Sequence, residues 1–184
     1  MRMGVVSDTH GYFDSRLPQL LNGVDEIFHA GDVGSGAVLD QLRALAAIQA
    51  VRGNIDPPEL ELPPTLTAAR GNATIYMVHA LGKPQSMLCE WAQSPSRDDC
   101  RQFLRAFPSA TDLVIFGHSH EPCAVVLNGK LFFNPGSAGK RRFSLPRCCG
   151  MLEISSAGVK ATFLSLESYN RGLPESVYLP TKGA

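Results

Sequence analysis

The stretch Met3-Gly4-Val5-Val6-Ser7-Asp8-Thr9-His10 decides how this 184-residue chain reads. Five mostly apolar residues run straight into a carboxylate and an imidazole. A short apolar run of this kind reads as a buried β-strand. In open α/β sheets, ligands bind just beyond the carboxyl ends of the strands. Asp8 and His10 are two apart, so on an extended backbone their side chains share a direction. Alone, such a triplet is more often a turn.

The arrangement recurs four times. Residues 26–30 lead into Gly31-Asp32, residues 48–52 into Gly53-Asn54, residues 74–78 into His79, and residues 113–116 into Gly117-His118-Ser119-His120. Taken singly these are ordinary: Gly-Asp caps helices or makes turns, Gly-Asn is a turn dipeptide, and a lone His ends many strands. Taken together they set two Asp, one Asn and four of the five His at the ends of five strands. A set so rich in imidazole and carboxylate points to a metal site. The remaining histidine, His29, lies inside its strand and reads as a core or supporting residue.

Between these strands the helical period takes over. Leu17, Leu20 and Leu21 share a face within residues 14–22. Val38, Leu39, Leu42 and Leu45 do the same within residues 35–45, where Ser35 suits the N-cap. The start is therefore βαβαβ, with a parallel core and right-handed crossovers. Residues 56–64 carry four prolines and predict no regular element. Gly71-Asn72, Asn128-Gly129 and residues 156–158 predict hairpin turns, and helices are expected over residues 84–92 and 97–107. The expected fold is α/β, a four-layer α/β/β/α sandwich of two packed mixed sheets with flanking helices. It would form one domain over residues 1–168, with a loosely packed tail over residues 169–184.

A chain of this length can bury a substantial core without disulfides. Its 17 basic and 17 acidic residues cancel, which argues against long nucleic acid as a partner but does not exclude nucleotide-sized substrates, since bound metal ions would add positive charge locally. The five cysteines are odd in number and lack CxxC spacing. With no signal-peptide pattern, reduced thiols in a cytoplasmic protein are expected. No apolar stretch approaches the roughly 18 residues that span a bilayer, so no membrane partner is expected. Homo-oligomerisation stays open.

In their order, the blocks Asp8-Thr9-His10, Gly31-Asp32, Gly53-Asn54, His79 and Gly117-His118-Ser119-His120 resemble the signature of the calcineurin-like metallophosphoesterases, over residues 1–155. Asn134-Pro135-Gly136-Ser137 resembles a loop of the small YfcE-type phosphodiesterase branch. That branch also includes a retromer subunit that works as a protein-binding scaffold. The resemblance implies two divalent transition-metal ions, with Mn first among Mn, Fe, Ni, Zn and Co. Asp8, His10 and His120 would hold one ion and Asn54, His79 and His118 the other, with Asp32 shared. It implies phosphodiester hydrolysis by in-line attack of a metal-bridging hydroxide. Asp8, Asp32, Asn54, His79 and Asp56 would form the catalytic set. A phosphomonoesterase and an interaction scaffold with little or no catalysis are the alternatives. All seven ligand residues are present, which favours chemistry.

The chain departs from the wider family after the third block. Many relatives carry His there, where it can protonate the leaving group, whereas this chain has Ile55 followed by Asp56. Asp56 reads as the acid, as an orienting group for a ligand or water, or as a cap on the proline loop. Ala80 stands where the family has Gly. Lys140, Arg141 and Arg142 read as a phosphate grip or as a solvated charge run. Asn134 and Ser137 would bond a phosphate oxygen or fix their own turn.

Overall fold

In the computed structural model, which describes residues 1–142, 144–168 and 172–181, the opening run becomes β1 (Arg2–Val6), buried from Met3 onward. It pairs in parallel with β2 (Glu26–His29), and β2 pairs in parallel with β3 (Ala47–Ala50). The crossovers carry α1 (Leu17–Leu20) and α2 (Gly36–Arg43). A second sheet comprises β4 (Thr65–Arg70), β5 (Ala73–Val78), β6 (Leu113–Ile115), β7 (Cys123–Leu127) and β8 (Lys130–Asn134). Between β5 and β6 come α3 (Ser86–Gln93) and α4 (Asp98–Leu104). Then β9 (Cys148–Ser155), β10 (Gly158–Ser165) and β11 (Val177–Pro180) return to the first sheet. The strand orders are β11-β10-β9-β1-β2-β3 and β4-β5-β6-β8-β7, and both sheets mix parallel and antiparallel pairs.

Three apolar cores fill the spaces between four layers. Met3, Val5, Phe28, Ile75, Ile115 and Phe133 meet between the sheets. Leu17, Leu21, Leu39 and Leu42 pack onto the outer face of β1 and β2 through Val6 and Ile27. Leu88, Trp91 and Phe103 cover the second sheet at Val114 and Phe132. This is the expected α/β/β/α sandwich. The central strands are apolar on both faces because each face has its own core.

The local signals held where chemistry forces geometry. Ser35 caps α2 by accepting from Ala37 N at 3.3 Å. Asn128 and Gly129, at φ 48° and 69°, join β7 to β8 as a two-residue hairpin loop whose left-handed pair suits strand twist. Three expectations need correction. The first helix is confined to Leu17–Leu20, because Pro18 fits only the first turn. The proline segment holds a 3-10 turn at Pro58–Leu60. The tail is not loose throughout: β11 adds to β10 antiparallel and buries Leu179, while residues 169–171 and 182–184 lie outside the described residues. Among the described residues, no helix is long and apolar enough to cross a membrane.

Candidate metal centre

Pairing continues past the strand ends and fixes the loops that follow. Ala30 N donates to Val6 O at 2.8 Å, Asp8 N to Gly31 O at 3.0 Å, and Val51 N to His29 O at 3.1 Å. In the second sheet, Gly117 N donates to His79 O at 2.9 Å. The loops after β1, β2, β3, β5 and β6 therefore meet at one edge. Two glycines permit the contact: a Cβ on Gly53 would lie 2.1 Å from Asp32 Oδ1, and one on Gly117 would lie 2.0 Å from Ser7 Oγ. Asp8, His10, Asp32, His118 and His120 all take positive φ, between 49° and 72°. Such backbone costs about 1–3 kcal/mol per residue and persists only where its surroundings enforce it.

Asp8 is fully buried. Its Oδ2 accepts from Ser7 Oγ at 2.6 Å and from His118 N at 3.1 Å. Among the described residues its Oδ1 has no hydrogen-bond partner, and it faces His120 Nε2 at 3.3 Å and His10 Nε2 at 4.0 Å. Those two ring nitrogens stand 3.1 Å apart. Asp32 divides its oxygens: Oδ1 accepts from Ile55 N at 3.1 Å and lies 3.3 Å from His79 Nε2, while Oδ2 lies 3.7 Å from His10 Nε2. His79 directs Nδ1–H to Ala30 O at 2.7 Å and points Nε2 at Asp32 Oδ1 and at Asn54 Oδ1, 3.2 Å away; burial opposes its charge, but the hydrogen bonds to Asp32 and Ala30 outweigh it and raise its pKa. Asn54 Oδ1 is also 3.0 Å from His118 Nδ1.

Lone pairs that converge this way need positive charge between them. Asp8, His10 and His120 form one cluster, and Asp8, Asp32 and His79 a second, each with ligand atoms within 4.8 Å of one another. Asp8 thus belongs to both clusters, although the sequence assigned it to one ion. Imidazole and oxygen donors without thiolate suit divalent transition metals. The orphaned, buried Asp8 Oδ1 is the sharpest sign that a cation belongs there.

The ionisation of these groups reports the same geometry. Burial pushes Asp8 up to about 6, only partly offset by the Ser7 hydrogen bond. Burial also opposes the charge on Asp32, but hydrogen bonds from His79 and Ile55 outweigh it and hold the carboxyl at about 2. Burial, then the charges of His10 and Arg142, lowers His120 to about 4. His10 is lowered by burial and then by Arg142. His29 is fully buried and lowered to about 3 by burial. Its Nδ1 accepts from Gly31 N at 3.2 Å, so Nε2 carries the hydrogen and donates to Thr9 Oγ1 at 3.0 Å. His29 therefore steadies the loop between two ligands.

The other expected site residues stand elsewhere. Asp56 is buried, and its carboxylate accepts from Gly34 N and Gly53 N, each at 2.7 Å. It ties two loops together, as the cap on the proline loop would. Asn134 Nδ2 donates to Gln85 Oε1, Gly117 O and Ser119 Oγ at 3.0, 3.0 and 2.9 Å, and its Oδ1 accepts from Gly136 N. Ser137 Oγ donates to Asp8 O at 2.9 Å. Both residues shape the loop behind Asp8 through these bonds. Arg141 pairs with Glu167, and Lys140 lies over the Tyr12 ring. Arg142 is exposed, its side chain has no hydrogen bond or ion pair among the described residues, and its charge reaches both His10 and His120. Sequence reasoning missed Ser7, whose hydroxyl fixes Asp8 Oδ2. Its place directly before Asp8 was the available signal.

The calcineurin-like phosphoesterase superfamily domain matches residues 1–157. The chain belongs to that superfamily. It is 32% identical over 153 residues to a probable metallophosphoesterase of Methanocaldococcus jannaschii, covering 80% of this chain and 71% of the relative. Wild-type Vps29 of Entamoeba histolytica complexed with Zn2+ shares the fold at TM-score 0.70 and 22% identity, over 97% of this chain and 99% of that one. The phosphoesterase YfcE of E. coli does so at TM-score 0.67 and 19% identity, over 97% and 100% of the two chains. In this superfamily fold, the seven residues named from sequence all lie at the edge where the two sheets' loops converge.

Proposed function

We propose that this protein is a binuclear, metal-dependent phosphoesterase that hydrolyses phosphodiesters by in-line displacement. The observation that carries the reading is Asp8 Oδ1, buried and unpartnered, with two imidazole nitrogens turned toward it. Asp8, His10 and His120 would hold one divalent cation and Asn54, His79 and His118 the other. Asp32 lies between, one oxygen toward each group. Two bound ions, Mn foremost, would supply Lewis-acid polarisation of the phosphoryl group and a lowered pKa for the attacking water.

The chain's own groups orient that chemistry. Ser7 and the His118 amide hold Asp8, Ala30 O sets the His79 tautomer, and the Ile55 amide holds Asp32. Arg142 is the cation assigned to the phosphoryl oxygens. No residue is assigned as general acid here, since Ile55 has no proton to offer and Asp56 is committed to two amides. The reading therefore favours esters whose leaving groups depart as anions. Five unbridged cysteines suit a reducing, cytoplasmic setting.

The experiment is metal analysis of the purified protein together with hydrolysis of bis(p-nitrophenyl) phosphate and p-nitrophenyl phosphate, with and without Mn. Diester turnover that needs metal and disappears in Asp32→Ala is expected. Monoester preference would make the protein a phosphatase. No turnover of either ester with Mn, Fe, Ni, Zn or Co would leave the scaffold alternative, which the likeness to Vps29 keeps in view.

A further inference from the structure

The cleft beside His118 continues away from the ligand cluster. A cavity of about 110 Å³ opens on His118 and is walled by Leu81, Lys83, Pro84 and Phe116. A second, of about 270 Å³, shares Leu81 and Lys83 and is floored by Met87, Trp91, Phe103 and Ala106. The rim between them is held in place. Gln85 Oε1 accepts from Ser119 Oγ at 2.9 Å and from Asn134 Nδ2 at 3.0 Å, and its Nε2 donates to Glu121 O at 3.1 Å. These bonds latch the start of α3 to the loop that carries His118 and His120.

The chemistry of the cleft is specific. Its floor is apolar and aromatic. Lys83, at the junction of the two cavities, is exposed and has no hydrogen bond or ion pair among the described residues. The acid on the far rim, Asp99, is already paired with Arg97 at 2.8 Å. Largely preformed apolar pockets with a few placed polar groups are where small ligands bind. The cleft starts at a residue of the metal cluster, so whatever fills it is attached to the group reacting there.

Resting on the phosphodiesterase reading above, we propose that this cleft is the subsite for the second ester arm of the substrate, and that it takes an aromatic or apolar ring bearing an anionic group, with Lys83 as the cation that selects it. The substrate class is then an anionic aryl or similar ring-bearing phosphodiester. Lys83 acts at the His118 end of the site, and Arg142 acts at the His10–His120 end.

The test uses p-nitrophenyl diesters with one leaving group and three retained arms: methyl, phenyl and 4-carboxyphenyl. Each kcat/KM for the Mn-loaded protein is divided by the uncatalysed rate. Phenyl should exceed methyl by about 10-fold, and carboxyphenyl should exceed phenyl by about 10-fold. Lys83→Met should bring the second ratio to about 1, while Lys160→Met, on β10 of the other sheet, leaves it in place. A second readout does not need turnover. Trp91 is the chain's one tryptophan and lines the larger cavity. Its fluorescence should change on binding phenyl phosphate and should saturate at about 10-fold lower 4-carboxyphenyl phosphate. Turnover with both ratios near 1 overturns the subsite and leaves the phosphodiesterase reading standing. Absence of all diester turnover overturns that reading, and the fluorescence then decides the subsite: equal affinity for the two phosphates overturns it, and a Lys83-dependent preference sustains it.

Discussion

The amide of His118 donates to Asp8 Oδ2 at 3.1 Å, so the loop of one sheet that carries two candidate ligands is bonded directly to the first candidate ligand of the other. The candidate metal centre is an inter-sheet contact, and its quality depends on how closely the sheets approach. Gly117 sets that approach, since a Cβ there would stand 2.0 Å from Ser7 Oγ and 2.7 Å from Asp8 Oδ2. Gly117→Ala is expected to weaken Mn binding by roughly 10–100-fold, the range seen when groups supporting a ligand are disturbed. Titration calorimetry of the metal-free protein measures it.

Asp8 makes stability depend on metal and pH together. Its folded pKa of about 6 exceeds the ordinary aspartate value of 3.8. The sign follows: below about 4 both folded and unfolded states hold the proton and Asp8 costs nothing. As pH rises, the unfolded state ionises first, and stability falls until the folded carboxyl also ionises near 6. The cost above that is on the order of 3 kcal/mol. Asp8→Asn should therefore stabilise the chelated protein at pH 7.5, with the gain vanishing near pH 4, and should abolish stabilisation by added Mn. Thermal melts with and without chelator, across that pH range, check both.

Asp56 accepts two backbone amides and touches no ligand. In Asp56→Asn one acceptor becomes a donor facing an N–H, which should cost about 1–3 kcal/mol of stability. The dependence of rate on leaving-group pKa should stay as steep as in the parent protein. A general acid would flatten that dependence in the parent and steepen it in the variant, so a series of substituted aryl esters decides the point.

The adjacent arginines should separate. Arg141 is engaged by Glu167, whereas Arg142 is exposed and its charge reaches His10 and His120. Arg142→Gln is expected to raise KM for the diester by about 10-fold, the size of a lost charge-assisted hydrogen bond. Arg141→Gln should change it less than two-fold. Steady-state kinetics at two salt concentrations also show whether the Arg142 effect is screened, as an exposed cation requires.

The ligand set was legible because each member follows a short apolar run, and a buried strand leaves few choices about where its end lies. His10 and His120 are 110 residues apart, yet their ring nitrogens stand 3.1 Å apart. The strand-end rule alone placed them at the same edge. The substrate-side residues were not legible for the opposite reason. Asn134, Ser137 and Asp56 carry the polar groups a phosphate would want, but so do loops that must satisfy their own amides. Nothing in the spacing separates the two uses. The shortening of α1 and the pairing of Val177–Pro180 with β10 were likewise invisible, since Pro18 acts locally and β11 pairs through its backbone.

The sequence by itself determined the layers, the parallel β1–β2–β3 start and the seven side chains at a common edge, because hydrophobic periodicity and strand-end chemistry are local properties. Only the tertiary structure decided how those side chains face one another: Asp8 Oδ1 left without a partner, Asp32 split between two groups, and Asp56 taken up by backbone amides. The physical reason is that hydrogen-bond valence is satisfied in three dimensions. Which polar atom remains free for a cation or a substrate depends on neighbours that arrive from the other sheet.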